Sequence, residues 1–215
     1  MSTLEDIEAA VEKGKMKEIE GLVQQALDEG IEPQTILDDG MIRAMDIIGE
    51  RFSAGTIFVP EMLIAARTMS MGAEVLKPHL AEAGAEPLGK AAIGTVKGDM
   101  HDIGKNLVRM MVEGKGIEVA DLGVDVGPEK FVEHLRQHPD CHLVMCSALL
   151  TTTRNSIGDT VKAIEAAGLR DRVKVMAGGA AVNQEFCDEV GVDCYTGDAG
   201  SAAAAAAKLL GEFAA

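Results

Sequence analysis

Asp99 and His101 form an Asp-x-His pair in a polar turn of the chain. The apolar run before the turn, 91–96, is typical of a buried strand, and the amphipathic run after it is typical of a helix. In a parallel α/β sheet, ligands bind beyond the carboxyl ends of the strands. Asp99 could hold one imidazole nitrogen of His101 and leave the other free to bind a ligand there. Gly98 suits the turn, and Gly104 suits the close approach of a bulky group.

The pair alone favours a solvated or capping histidine, because polar loops are common after strands in α/β proteins. Three further turns follow predicted strand ends, and they contain Ser147, the Gly178-Gly179 pair and Gly197. In a flavodoxin-like strand order, the loops of His101 and Ser147 flank one slot, which the paired glycines border on the other side. Together these loops predict a long, narrow cleft for an extended polar ligand beside a metal-ligating imidazole.

The elements that position these residues lie in the second part of the chain. Strand patterns occur at 91–96, 117–121, 142–147, 173–177 and 192–195. Helical patterns alternate with them at 103–114, 128–137, 154–167, 182–190 and 199–213. Strands that alternate with crossover helices predict a flavodoxin- or Rossmann-like sheet of five parallel strands.

The first part of the chain, residues 1–82, shows helical periodicity without a strand pattern. Gly14 and Gly30 separate the first helices, and the short connections predict a small antiparallel bundle of four helices. Segment 83–89 lacks periodicity and contains Pro and Gly, so it is the predicted linker. The fold class is therefore a helical bundle followed by an α/β sheet. The predicted domains are 1–88 and 89–215.

The composition excludes several classes of partner. The formal net charge is −15, with 35 acidic against 20 basic residues, so neither nucleic acid nor an anionic membrane is an expected partner. The N-terminus lacks the pattern of a signal peptide, and no apolar run is long enough to span a bilayer. We expect a cytoplasmic protein. The four cysteines are scattered without a CxxC pair, so a zinc site or disulfide framework is not expected.

At this point the chain resembles the cobalamin-binding domains of methyltransferases, and in particular the methyltransferase cognate corrinoid proteins. The family pattern is Asp-x-His-x-x-Gly, then Ser-x-Leu, then Gly-Gly. It is matched here by Asp99-x-His101-x-x-Gly104, Ser147-Ala148-Leu149 and Gly178-Gly179. In the helical part, 49–55 and 58–61 resemble the helical cap that covers methylcobalamin in the cobalamin-binding module of methionine synthase. The resemblance covers essentially the whole chain.

The resemblance implies a cobalamin cofactor, methylcobalamin or another corrinoid, bound with its own lower base displaced. His101 would be the axial ligand to cobalt, Asp99 would accept from its other nitrogen, and Ser147 would extend this relay. These three are the predicted catalytic residues. The remaining residues that the resemblance places against the cofactor are Gly98, Met100, Asp102, Ile103, Gly104, Leu149, Thr151, Thr152, Gly178, Gly179 and Gly197. On the methyl side, Phe52 and Val59 match cap positions, although both also suit the core of a bundle.

By the same resemblance the chain is a methyl carrier. A substrate-specific methyltransferase would place a methyl group on Co(I), and a second methyltransferase would pass it from methyl-Co(III) to tetrahydrofolate or coenzyme M. A reductive activase is a third implied partner. The donors used in the family include methylamines, methanol, betaines and aryl methyl ethers, and the sequence does not choose among them. Catalytic turnover would require the whole multi-protein system, so it is left open whether the chain by itself is an enzyme.

Three other functions compete with this interpretation. A cobalamin-dependent sensor is the main alternative, although such proteins usually carry a DNA-binding or signalling element. The small subunit of an adenosylcobalamin mutase would share the lower-face motif but would not be expected to carry the helices of residues 1–82. A flavodoxin-like nucleotide binder would require all the loop motifs to be coincidental.

Overall fold

The computed structural model describes residues 2–83 and 87–213, and the chain divides into two compact units. The first comprises Met1–Pro87 with Gly114–Gly116, and the second comprises Leu88–Glu113 and Ile117–Ala215. Residues 84–86 of the predicted linker lie outside the described residues. Within the described ranges, no helix is both long and apolar enough to cross a lipid bilayer.

The first unit is helical, as predicted. Its elements are α1 (Thr3–Glu12), α2 (Met16–Asp28), α3 (Pro33–Thr35), a π-helical segment (Ile36–Ile42), α4 (Arg43–Ser53) and α5 (Val59–Glu82). Because α3, the π-helical segment and α4 follow one another without a break, they correspond to the third predicted helix. Gly14 and Gly30 have φ of +65° and +78°, which lets the chain leave α1 and α2 in the left-handed conformation that glycine favours.

The π-helical segment is a difference from the prediction, which was a continuous α-helix. It contains Gly40, where an added Cβ would lie only 3.0 Å from Cγ2 of Ile7 in α1. The wider turn therefore coincides with a close approach between two helices. The spacing of apolar residues does not reveal such an approach, because it depends on a partner helix rather than on the local pattern.

The second unit is built on a five-stranded parallel sheet with the order β2-β1-β3-β4-β5, which confirms the flavodoxin-like prediction. Its strands are β1 (Gly89–Thr95), β2 (Ile117–Asp121), β3 (Cys141–Ser147), β4 (Lys174–Gly178) and β5 (Cys194–Tyr195). In the register of β1 with β3, Thr95 lies opposite Ser147, the last residue of each strand. The loops that follow these two strands therefore leave the sheet at the same level.

In the described part of the chain, five α-helices cover this sheet, close to the predicted bounds: α6 (Ile103–Glu113), α7 (Pro128–Gln137), α8 (Asn155–Ala166), α9 (Gln184–Val190) and α10 (Ala199–Gly211). Phe131 of α7 and Ile157 of α8 are fully buried in the core that α7, α8 and α9 form with the sheet. Gly94 in β1 permits this packing, because a Cβ there would lie 2.8 Å from Cζ of Phe131. Cys146 is a buried core residue, and burial raises the pKa of its thiol to about 12.

Candidate functional site

Three of the predicted loops meet at the carboxyl edge of the sheet. The amide of Val96 donates to the carbonyl of Ser147 at 3.0 Å, which joins the chain after β1 to the end of β3. The amide of Ala148 donates to the carbonyl of Gly178 at 3.1 Å, which joins the chain after β3 to the end of β4. The structure thus places the loops of His101, Ser147 and Gly178 side by side, in the order that the strand topology requires.

Asp99 and His101 form the expected hydrogen-bonded pair. Nδ1 of His101 lies 2.8 Å from Oδ1 of Asp99, and the backbone amide of His101 donates to the same oxygen at 3.1 Å. The side chain of Asp99 is fully buried, whereas that of His101 is 52% exposed. An ionised carboxylate only accepts hydrogen bonds, so the neutral imidazole carries its proton on Nδ1. Nε2 is left with a lone pair, and no described residue hydrogen-bonds to it.

The second oxygen of Asp99 is also saturated with donors. Oδ2 accepts from the amides of Leu149 at 2.8 Å and Leu150 at 3.4 Å, and from the hydroxyl of Thr153 at 2.8 Å. Burial by itself raises the pKa of Asp99, but the hydrogen bonds from Leu149, His101 and Thr153 outweigh burial. The pKa of this carboxyl is therefore well below its usual range. Asp99 is therefore ionised at neutral pH.

The third member of the relay is Thr153 and not Ser147. We expected the hydroxyl of Ser147 to extend the contact between Asp99 and His101, but the hydroxyl that reaches the carboxylate is that of Thr153, which is only 8% exposed. The reason is geometric: Ser147 is the last residue of β3, whereas Thr153 follows a turn that folds back over Asp99. The run of three threonines at 151–153 was the available signal, but it did not show which of them turns inward.

Exposed apolar side chains lie in the loops that carry His101 and Ser147. Met100 is 69% exposed and Ile103 is 75% exposed, and both belong to the chain around His101. Leu149, from the loop after β3, is 41% exposed. Exposed apolar side chains that cluster beside a polar centre mark a surface for a ligand with an apolar face. This group was predicted to contact the cofactor, and that role stays a prediction.

The predicted glycines differ in their structural role: some permit a backbone conformation or a close contact between loops, and one leaves open space. Gly98 has φ of +84°, a conformation that other residues rarely adopt, and a Cβ on Gly104 would meet no atom within 4 Å. At Gly179 a Cβ would lie 2.2 Å from the carbonyl oxygen of Ala148, so the loops after β3 and β4 touch through backbone alone. Gly104 thus leaves open space beside His101, whereas Gly179 is required by the packing of the loops themselves.

The structure gives the positions of the other predicted contact residues but does not test their contact with a cofactor. Asp102, Thr151, Thr152 and Gly197 are exposed and Gly178 is half-buried, all in loops or strand ends at the carboxyl edge of the sheet. Phe52 in α4 and Val59 at the start of α5 are half-buried within the first unit. Their proposed contact with the methyl side of the cofactor stays a prediction.

A buried ion pair, which the sequence did not predict, anchors the helix that follows His101. Nζ of Lys105 in α6 lies 2.7 and 2.6 Å from the two carboxylate oxygens of Asp121 at the end of β2. The side chain of Lys105 is 2% exposed and that of Asp121 is 29% exposed. Burial alone raises the pKa of Asp121, but the hydrogen bond from Lys105, the amide of Gly123 and the nearby cations outweigh burial and lower it.

The ion pair predicts a pH-dependent contribution to stability. Because the pKa of Asp121 is lowered in the folded protein, its stabilisation is present above the unfolded pKa of about 3.9 and is lost as the pH falls below it. At neutral pH, Asp121→Asn leaves the buried Lys105 side chain without its carboxylate partner, although Nζ still donates to Oδ1 of Asn106, and should cost about 3 kcal/mol in the free energy of unfolding. Urea denaturation at neutral pH and at acid pH measures this difference. An undiminished difference in acid would contradict the prediction.

The residues at the carboxyl edge fit a metal that arrives inside a larger cofactor. Among the described residues no group of three or more His, Cys, Asp or Glu side chains could hold a metal ion. His101 offers a nitrogen that has no partner among the described residues, with a buried carboxylate behind the ring. The loops at this edge also carry exposed apolar side chains and open space at Gly104. A single protein ligand suits a metal whose other ligands come from a planar macrocycle.

Two family comparisons agree with this geometry. Residues 89–207 match the B12 binding domain family, and residues 3–77 match a second family with the description B12 binding domain. The chain belongs to the B12-binding proteins. Its cofactor is accordingly a corrinoid, and the role of His101 as the ligand to cobalt stays a prediction.

The alignments with similar B12-binding proteins extend over almost the whole chain. Over 207 residues the chain is 37% identical to dimethylamine corrinoid protein 3 of Methanosarcina acetivorans, a match that spans 96% of each chain. A cobalamin-binding protein from Desulfitobacterium hafniense DCB-2 superposes with a TM-score of 0.82 at 30% identity, over 96% of this chain and 98% of that one. The methanol:cobalamin methyltransferase complex MtaBC from Methanosarcina barkeri superposes with a TM-score of 0.85 at 26% identity, over 97% of this chain and 80% of that one.

Proposed function

We propose that this B12-binding protein is the corrinoid methyl carrier of a methylamine-type methyltransferase system. The observation that carries the proposal is the open Nε2 of His101, backed by the buried anion of Asp99. The likeness to a dimethylamine corrinoid protein over 96% of each chain supports the same function. A bound corrinoid supplies a cobalt centre that can accept and release a methyl group.

The chain's own residues control the imidazole. Thr153 and the amides of the loop after β3 keep Asp99 ionised, and Asp99 keeps the proton of His101 on Nδ1. Nε2 therefore stays available as a ligand, and the anion behind it fixes the orientation of the ring. The pair thus presents one imidazole nitrogen to a metal.

The proposed partners follow from the carrier function. We infer a substrate-specific methyltransferase that loads the methyl group, and dimethylamine is the favoured donor because of the relative in Methanosarcina acetivorans. Methanol is the runner-up because of the structural likeness to the MtaBC complex. A second methyltransferase acting on tetrahydrofolate or coenzyme M, and a reductive activase, complete the proposed system in the cytoplasm.

The proposal is tested by supplying the loaded, reduced protein with separate methyltransferases for dimethylamine and for methanol, each with its substrate. The absorbance change from reduced to methylated corrinoid measures methylation. We expect the dimethylamine enzyme to act at least about tenfold faster, which corresponds to about 1.4 kcal/mol of discrimination. A faster methanol enzyme would keep the carrier function and change the donor. If neither these enzymes nor those for monomethylamine and trimethylamine methylate the bound corrinoid, the proposal of a methylamine-type carrier is wrong.

A further inference from the structure

Segment 123–126, between β2 and α7, runs beside the start of the His101 loop. The amide of Thr95 donates to the carbonyl of Gly123 at 3.0 Å, and the amide of Val126 donates to the carbonyl of Thr95 at 2.9 Å. Val96 and Val126 form a parallel bridge in the same place. This segment therefore extends the sheet beyond β1 and β2, at the point where the chain turns toward His101.

Asp125 in this segment contacts the His101 loop twice. Its backbone amide donates to the carbonyl of Asp99 at 2.9 Å, and its Oδ1 accepts from the amide of Gly98 at 2.7 Å. The two contacts hold consecutive residues of the turn from the side opposite to the loop after β3. Asp99 is thereby fixed at its carboxylate by Leu149 and Thr153 and at its backbone by Asp125.

The conformation of Asp125 indicates what its side chain contributes. Its φ is +52°, and it is the one described residue other than glycine with a positive φ. Glycine would suit the backbone better at this position. Asp125 is also exposed, so its side chain adds nothing to the core. What aspartate supplies, and glycine cannot, is the acceptor for the amide of Gly98.

The hydroxyl of Thr95 links segment 123–126 to His101 itself. Thr95 is fully buried, and its Oγ1 donates to the carbonyl of His101 at 2.7 Å. The backbone of His101 is therefore hydrogen-bonded to Thr95. The amide and the carbonyl of Thr95 are in turn hydrogen-bonded to Gly123 and Val126. Because the imidazole is half exposed, these backbone contacts and Asp99 are the restraints that set its direction.

We propose that Asp125 is a positioning residue that holds the turn at Gly98 and Asp99, so that Nε2 of His101 points at the cobalt. The inference rests on the proposed function. It predicts that the loss of the Asp125 acceptor weakens coordination by His101 without unfolding the protein. A loop that is already rigid in the folded protein loses less conformational entropy when the metal binds.

Two substitutions separate the acceptor from the backbone. Asp125→Gly keeps the left-handed backbone at no steric cost and removes the acceptor for Gly98. Asp125→Asn keeps an acceptor oxygen, and asparagine tolerates the same backbone, so it serves as the matched control. Because both residues suit a positive φ, both variants should fold, and urea denaturation verifies this.

The probe is cobinamide, a corrinoid without a lower base, in the Co(II) state. Because cobinamide has no lower base of its own, nitrogen superhyperfine splitting in its electron paramagnetic resonance spectrum reports a ligand from the protein. Labelling of the histidines with ¹⁵N identifies that ligand. We expect Asp125→Gly to lower the ratio of His101-bound to unbound cobalt by about fivefold, and Asp125→Asn to stay within about twofold of wild type. In the protein without corrinoid, the amide of Gly98 should exchange with solvent about fivefold faster in Asp125→Gly.

The outcomes distinguish the inference from the function on which it rests. If wild type shows His101-bound cobalt and Asp125→Gly shows the same ratio, the positioning role is wrong and the carrier function stands. If Asp125→Asn behaves like Asp125→Gly, the acceptor is not the cause and the inference is wrong. If wild type shows no bound histidine nitrogen, the proposed function fails and the positioning role fails with it.

Discussion

His101→Ala is expected to remove the nitrogen ligand that, in the proposed function, the protein gives to the corrinoid cobalt, while the fold stays intact. The imidazole is 52% exposed, so its loss removes little packing. Asp99 keeps its donors from Leu149, Leu150 and Thr153 and from the backbone amide of residue 101. The free energy of unfolding should therefore change by less than about 1 kcal/mol, whereas corrinoid affinity should fall by about tenfold or more.

The measurement is an ultraviolet–visible spectrum of wild type and His101→Ala after reconstitution with methylcobalamin. Wild type should show the spectrum of a corrinoid with its own base displaced and a histidine bound, and the variant should lose it. His138→Ala, at the exposed end of α7, is the matched control and should leave the spectrum unchanged. Free imidazole should restore part of the nitrogen ligation in His101→Ala. An unchanged spectrum in that variant would remove the basis of the proposed function.

Asp99→Asn is expected to destabilise the fold substantially. The two carboxylate oxygens accept five hydrogen bonds, from His101, Leu149, Leu150 and Thr153. An amide of the same shape must turn its NH₂ group toward some of these donors, so buried N–H groups lose their acceptor. We expect the free energy of unfolding to fall by roughly 2–4 kcal/mol.

The same substitution should also disturb the ligand. Where the amide NH₂ faces Nδ1, the imidazole can accept from it only with its own proton moved to Nε2, which then has no lone pair for cobalt. Urea denaturation without corrinoid and the electron paramagnetic resonance spectrum with cobinamide measure the two effects. Asp102→Asn is the matched control, because Asp102 is exposed and its change should stay within about 0.5 kcal/mol. A variant as stable as wild type would show that the hydrogen bonds of Asp99 contribute little.

The secondary structure and the central pair were accessible from the sequence because both are local. Alternation of apolar runs with amphipathic helices depends on near neighbours, and the strands and helices lie within a few residues of the predicted bounds. Asp99 and His101 are two residues apart, so their hydrogen bond needs only a turn that Gly98 permits. The π-helical segment was missed because it depends on the approach of α1 at Gly40.

Contacts between loops were decided by the tertiary structure. Thr153 reaches Asp99 across 54 residues of sequence, and Asp125 reaches Gly98 across 27. Several threonines and aspartates in the loops would have suited these contacts equally well by residue type. Which of them meets the carboxylate or the turn depends on the strand order, on the register that sets Thr95 opposite Ser147, and on the path of each loop.

The sequence by itself thus determined that a histidine, backed by a carboxylate, lies at the carboxyl edge of a five-stranded parallel sheet. Only the tertiary structure decided that Thr153, rather than Ser147, completes the relay, and that Asp125 and the buried pair of Lys105 with Asp121 support the loop and the helix around His101. The physical reason is that hydrophobic periodicity is a property of neighbouring residues in the sequence, whereas a hydrogen bond between two loops forms only after the strands that carry the loops have paired.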